Sequence, residues 1–382
     1  MKRIVLMCDG TWNVYSAPHQ THVALLVSLV QETGATGTEQ VGAYMPGVGT
    51  GRGNHGPLWK RVDQFVGGAF GVGLKRNLRD TYRTLCQHYE PNDEVYIFGY
   101  SRGAYTARSL VGLIRTVGIL PKDHKESRAD EAVRYYLRRT MDQHPDNPAS
   151  FAKRRGFSPQ FVMSSDEQAW RASEGDPDLP IFEVTYLGVW DTVGALGVPA
   201  HLGLAASILN RSRLFHDTAL SETVKSGRHA VSIDENRLSF RPTLWSNLAD
   251  LNEGPQNKDS DYQEMWFPGD HGVLGGGGAD DALSSYPLEW VVQGAVNAGL
   301  EINDAALAQN LKKDPMGALY PGLAKSGISV PYKRAPRVGP FKINYISEAA
   351  RTRWCVSRSG GGRVYNPDTL KHLTSRLNDV CP

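Results

Sequence analysis

The chain alternates short apolar runs with stretches of helical periodicity, and that rhythm predicts its architecture. Ile4–Cys8 is a compact β-branched run ended by Asp9-Gly10-Thr11, which reads as a buried strand emptying into a loop. Residues 22–31 follow with helical spacing. From Phe70 to Tyr89 the positions Leu74, Leu78, Tyr82 and Leu85 fall on one helical face, and Pro91-Asn92-Asp93 ends that helix before the next strand. That strand, Glu94–Tyr100, carries Val95-Tyr96-Ile97-Phe98 at its centre, runs through Gly99-Tyr100-Ser101-Arg102-Gly103-Ala104, and gives way to a helix over Ala107–Ile114. Further strands are predicted over Ile181–Trp190, Arg228–Ile233, Glu264–Phe267 and, late in the chain, Phe341–Ile346. Helices are predicted from Pro287 to Gly299 and over Asn303–Lys312.

This β-α-β succession implies an α/β fold with a mostly parallel central sheet flanked by helices. Residues 121–178 break the rhythm, being polar, charged in both signs and interrupted by prolines, and are expected to form an inserted helical cap or a loop over the sheet. No internal repeat is found. The expectation is therefore one domain over 1–382, with 301–382 as a C-terminal extension that carries no interpretable motif.

Composition narrows the class. With 382 residues the chain can bury a large core without needing disulfides or a structural metal, and 40% hydrophobic residues exclude a disordered chain. The balance of 42 Lys+Arg against 40 Asp+Glu argues against nucleic acid as a partner. The apolar run after Met1-Lys2-Arg3 is too short for a signal peptide, and no stretch is long and apolar enough to span a bilayer. Cys8, Cys86, Cys355 and Cys381 form no C-x-x-C pair, which reads as reduced cysteines and no zinc. These observations predict a cytoplasmic protein. Gly47–Gly56 is glycine-rich enough to imitate a phosphate cradle, but no Gly-Lys-Ser/Thr closes it, so no Walker-type loop is expected.

Gly99-x-Ser101-x-Gly103 between a strand and a helix has the pattern of a nucleophile elbow, in which small residues permit a sharp reversal that lifts the serine hydroxyl above the sheet. A serine needs a histidine base, and the histidine needs a carboxylate to fix its tautomer. Asp191 ends a predicted strand and His271 lies in a glycine-rich loop after another, so Ser101, Asp191 and His271 appear in the chain order serine, acid, histidine. His229 and His216 compete for the base, and Asp234 and Asp250 for the acid. Oxyanion or substrate contacts are expected from Gly10, Thr11 and the backbone N–H of Arg102, with Asp9 holding the Gly10 loop.

Taken in order, Cys8–Asn13, Gly47–Thr50, Gly99–Ala104, Gly188–Gly194, Ala230–Arg237 and Phe267–His271 resemble the bacterial domain-of-unknown-function family 2235, which includes the catalytic domain of type VI secretion phospholipase effectors. The resemblance covers about residues 1–300. It implies an α/β-hydrolase fold, ester hydrolysis with phospholipid as substrate in the effector branch, and a triad that falls on Ser101, Asp191 and His271. One motif departs from the pattern: relatives continue the histidine with serine, aspartate and valine and later a tyrosine, whereas this chain reads His271-Gly272-Val273-Leu274-Gly275.

The combined reading is a serine carboxylester hydrolase that works through an acyl-enzyme, requires no cofactor or metal, and takes a small-molecule or lipid ester. Gly194–Leu209, small and apolar, is a candidate acyl wall, and Arg102 and Arg108 are candidate contacts for a substrate anion. The basic pairs at 138–139 and 153–155 suit a peripheral membrane contact or a solvated helical face. The competing reading, motivated by the altered histidine loop, is a catalytically silent hydrolase fold that binds a ligand or partner.

Overall fold

The computed structural model describes residues 1–11, 13–47, 69–138, 143–194, 219–253, 260–320, 333–360 and 363–381. Six strands form one sheet: β1 (Arg3–Cys8), β2 (Gln40–Met45), β3 (Glu94–Tyr100), β4 (Tyr186–Trp190), β5 (Gly227–Ser232) and β6 (Tyr262–Phe267), in the order β2-β1-β3-β4-β5-β6. Every pairing among them is parallel, which sharpens the expected "mostly parallel" sheet. Such a sheet is buried on both faces, and its central strands accordingly read as unbroken apolar runs rather than as alternations.

Alternate residues of those runs serve opposite faces. Ile4, Leu6, Val95, Ile97, Leu187 and Val189 join one core with α2 (Ala69–His88) and α3 (Arg102–Val117). Val5, Met7, Tyr96, Phe98, Tyr186 and Trp190 join the other with α1 (His22–Leu29) and α9 (Ser285–Asn297). Residues 121–178 hold α4 (Glu126–Arg138), α5 (Pro148–Phe157) and α6 (Ser165–Ser173). Ala129, Val133, Tyr136 and Phe157 place this group on the α2–α3 side, as an outer helical layer. Arg154, Arg171 and Glu167 are buried together within it, with Arg171 Nη2 3.0 Å from Glu167 Oε1. Arg154 of the basic stretch 153–155 is thus an internal ion-pair residue.

After β5 come the short helices α7 (Leu248–Leu251) and, following β6, α8 (His271–Gly275); α10 (Asp304–Asn310) packs near α1. Beyond it, α11 (Glu348–Ser359) and α12 (Thr374–Asp379) build a third core at the β6 edge, where Trp354, Leu370 and Leu377 meet Val231 and Trp266.

Three expectations are corrected here. Phe341–Ile346 is not a strand: Ile343–Tyr345 is a single 3₁₀ turn, Phe341 is 82% exposed, and only Ile346 bridges to Trp266, so half of the run has no sheet or core to bury it. Gln40–Met45, which the apolar pattern passes over, is the edge strand β2, with most of its residues only partly buried. Cys355 and Cys381 are joined in a disulfide, so these two are not reduced; α11 and α12 bring together cysteines 26 residues apart that no spacing rule pairs. Cys8 and Cys86 remain free and buried. Among the described residues no helix is long and apolar enough to cross a membrane.

Candidate active site

Because the strands are parallel, their C-terminal ends share one edge of the sheet, and the loops leaving that edge carry the chemistry-bearing residues. Chain order also reverses there: β2 and β3 lie on opposite sides of β1, and ligands of open α/β sheets bind beside such a switch point. Ser101 follows β3 directly, with its N–H donating to Trp190 O at 3.0 Å, and it adopts φ 57° and ψ −119° before α3 begins at Arg102. A non-glycine residue at positive φ is uncommon and needs close support. Gly103 provides part of it: a Cβ there would lie 2.1 Å from Cys8 O, so the first turn of α3 presses on the end of β1 as only glycine allows.

Asp191 follows β4, also at positive φ (41°), its N–H donating to Ala230 O at 2.7 Å. His271 follows β6 through Pro268-Gly269-Asp270, where Asp270 caps α8 by accepting from Val273 N at 3.0 Å. The end of β5 ties the two together. Ser232 N donates to Asp191 Oδ1 at 3.0 Å, and Ser232 Oγ donates to Gly269 O at 2.6 Å.

The three side chains meet. His271 Nε2 is 2.8 Å from Ser101 Oγ, and His271 Nδ1 is 2.6 Å from Asp191 Oδ2. With an ionised carboxylate on Nδ1, that nitrogen carries the proton and donates it, leaving Nε2 to accept from the serine hydroxyl. All three are buried: Ser101 is 6% exposed, His271 5% and Asp191 0%. The imidazole is held in place by Phe240, edge-on at 4.8 Å, and by Tyr100, 5.0 Å away, whose hydroxyl donates to His271 O at 3.0 Å. Glu235 Oε2 accepts from His271 N at 3.3 Å and pairs with Arg237, whose guanidinium covers the Phe240 ring.

Arg337 was not foreseen. Its Nη1 and Nη2 lie 2.6 and 2.8 Å from the two oxygens of Asp191. Burial alone would raise the Asp191 carboxyl; the charge and hydrogen bonds of Arg337, with those of His271, outweigh it and hold the group far below the usual carboxylate range.

The competing residues have other partners. His229 is fully buried on Glu264, Nδ1 to Oε2 at 3.0 Å, and its Nε2 accepts from Thr192 N at 3.2 Å. Asp234 accepts from Gly269 N at 2.7 Å and from Tyr365 Oη at 2.9 Å, and burial pushes its carboxyl up to about 7. Asp250 sits exposed in α7. His216 lies outside the described residues, as do Gly194–Leu209 beyond Gly194 and the glycine-rich stretch after Gly47.

Gly10 does not have a free amide to offer: its N–H donates to Asp9 Oδ1 at 2.6 Å, and the buried Asp9 carboxyl also accepts from Thr21 Oγ1 and Tyr44 Oη. Asp9 thus organises the loop, as expected. Thr11 lies beside it with a buried hydroxyl that finds no hydrogen-bond partner among the described residues. Arg102 opens α3, where the first-turn amides have no acceptor within the helix, and burial lowers its guanidinium to about 10. Arg108 donates to Thr243 O and lies over Trp245.

Residues 2–294 match the family model described as T6SS, phospholipase effector Tle1-like, catalytic domain. The chain belongs to this family. Arg337 and the helices α11 and α12 lie beyond the matched residues. A relative is the uncharacterized protein YEL023C of Saccharomyces cerevisiae, 28% identical over 253 residues, covering 65% of this chain and 33% of that protein. Two solved structures are similar in part. An uncharacterized protein from Pseudomonas aeruginosa has 20% identity and a TM-score of 0.42 over 82% of this chain and 48% of its own. The Tle1 effector bound to the VgrG spike of the type VI secretion system has 16% identity and a TM-score of 0.38 over 72% of this chain and 51% of its own. The chain therefore spans a third to a half of the length of these relatives.

The stretch after His271 is small and apolar and lies beside the contacts just described. Gly272 is exposed, Val273 and Leu274 are buried, and a Cβ on Gly275 would lie 2.1 Å from the Tyr100 ring. Tyr100 therefore fills the space beside His271 that a larger residue at 275 would take.

Proposed function

We propose that this protein is a serine carboxylester hydrolase of the lipase type, with an α/β-hydrolase fold and with phospholipid as the favoured substrate class. One observation carries the mechanism: Ser101, at positive φ on a strand-to-helix elbow, is hydrogen bonded to His271, which is hydrogen bonded to Asp191. Family membership supports the phospholipid assignment. In the proposed reaction Ser101 Oγ attacks the ester carbonyl carbon as its proton passes to His271 Nε2. The oxyanion that forms is met by the amide of Arg102, with Thr11 as the second donor, and by the N-terminal end of α3. Collapse expels the alcohol, which takes the proton from His271, and leaves an acyl-serine. Water then attacks this ester, giving its proton to His271; the acid departs and Ser101 recovers its proton. Asp191 stabilises the imidazolium in both halves and is not itself protonated.

The test is intact-protein mass spectrometry after a fluorophosphonate probe, comparing the native chain with Ser101→Ala and His271→Ala, beside hydrolysis of short-chain esters and phospholipids. One probe adduct on the native chain, absent from both variants, is expected. A folded native protein that takes no adduct would favour a hydrolase fold that only binds.

A further inference from the structure

The segment that brings Arg337 to the site is tied to it by backbone pairing. Residues 333–335 run antiparallel to 236–238: Leu238 N donates to Lys333 O at 3.0 Å, Ala335 N donates to Asn236 O at 2.9 Å, and Arg237 and Arg334 are bridge partners. Two residues on, Arg337 turns under the end of β4. Both Asp191 oxygens accept from its guanidinium, and its other hydrogen bonds go to Ser232 O at 3.0 Å and to Phe240 O. Only 2% of the side chain is exposed.

A carboxylate that served only a neutral histidine in this setting would be an uncompensated buried charge, which is costly. A bidentate guanidinium removes that cost and fixes the carboxylate plane, since two parallel hydrogen bonds specify orientation as well as charge. Asp191 Oδ2 is shared, 2.8 Å from Arg337 Nη2 and 2.6 Å from His271 Nδ1. We propose that Arg337 is a positioning residue of this site: acting through Asp191, it aims Oδ2 at His271 and balances the charge of the buried carboxylate. The inference rests on the serine-hydrolase reading. It makes the C-terminal segment, which lies outside the family match, a working part of the site.

Removing the guanidinium takes away the charge and hydrogen bonds that lower the Asp191 carboxyl, so that carboxyl takes up its proton at higher pH, and the protonated form no longer serves the imidazole as an anion. The other charged or titratable groups around His271 stay in place: Glu235 with Arg237, Asp270 at the cap, Tyr100 on β3, and Asp234 behind Gly269. A change in the acid limb on replacing Arg337 is therefore attributable to Arg337.

The experiment measures, on the full chain, the rate of fluorophosphonate labelling of Ser101 from pH 5 to 9 for the native protein, Arg337→Met and Arg337→Lys, with circular dichroism as the folding control. Arg337→Met is expected to label about 10- to 100-fold more slowly at pH 7. Its acid limb should move up by about one pH unit, which accounts for at most about tenfold of that loss, so only this part is recovered above pH 8. Arg337→Lys, which keeps the charge and loses the fork, should retain the native acid limb with an intermediate rate. A folded Arg337→Met with a native rate, or a slow one with an unshifted acid limb, overturns the inference. If Arg337→Met does not fold, the lysine variant decides: a native rate for it denies the bidentate role, and a displaced acid limb denies the charge role. A native protein that never labels removes the serine-hydrolase reading itself, an outcome distinct from any of these.

Discussion

Among the described residues, two buried histidine–carboxylate pairs diverge in their chemistry at a single atom. In one, His271 Nδ1 meets Asp191 at 2.6 Å; in the other, His229 Nδ1 meets Glu264 at 3.0 Å. Each pair fixes its ring tautomer in the same way. The difference lies at Nε2, which in His271 faces the Ser101 hydroxyl and in His229 accepts the Thr192 amide. The first arrangement can pass a proton to and from a reacting group; the second spends its basic nitrogen on holding the turn that presents Asp191. A histidine paired with an acid is thus not by itself a sign of catalysis. What decides is whether the second nitrogen meets something that can react.

Substitutions separate the two pairs sharply. Ser101→Ala should lower kcat by on the order of 10⁴- to 10⁶-fold in a protein that melts as the native one does, measured on a short-chain ester. Asp191→Asn, which still packs but favours the wrong tautomer, should cost about 10⁴-fold in kcat. His229→Leu leaves Glu264 buried with one donor fewer and the Thr192 amide unpaired. It should destabilise the fold by about 1–3 kcal/mol in urea denaturation while keeping Ser101 reactive toward a fluorophosphonate. Loss of labelling in folded His229→Leu would mean that the second pair does more than hold the turn.

Asp234 offers the control of a buried acid with no histidine. Its carboxyl is raised to about 7 by burial, despite hydrogen bonds from Gly269 and Tyr365. The native state therefore holds that proton above the pH at which the unfolded chain releases it. This contribution to stability is complete below about pH 4. It is lost as pH rises through about 7. Asp234→Asn should flatten this part of the stability profile between pH 5 and 8, which paired denaturant titrations of the two proteins would reveal as a smaller drop.

Ser101, Asp191 and His271 were legible because each sits where a strongly apolar strand stops, and parallel strands stop at the same edge. Gly99 and Gly103 marked the reversal at Ser101, but chain order left Asp234 and Asp250 open beside Asp191, since all three lie between Ser101 and His271; the contact of Asp191 with His271 separates them. The sequence could not exclude His229, which ends inside a strand rather than after one; only its contact with Thr192 does so. Arg337 left no trace in the pattern. It lies 146 residues from Asp191, in a stretch with neither helical nor strand period, and its place is set by pairing with 236–238 that no local rule announces. The edge strand β2 escaped for a related reason: with one neighbour and partial burial it needs no continuous apolar run.

The covalent link between Cys355 and Cys381 matters most when the protein is not folded. By tying residues 26 apart it removes part of the freedom of the denatured chain, a gain of about 3–4 kcal/mol for a loop of that length on an entropic account. The third core, which borders the segment bearing Arg337, thus owes some of its persistence to the thiol–disulfide balance of the surrounding medium. Protein handled under strong reductant is a weaker fold than the same sequence kept oxidised, and it would loosen first at the end of the chain farthest in sequence from the elbow.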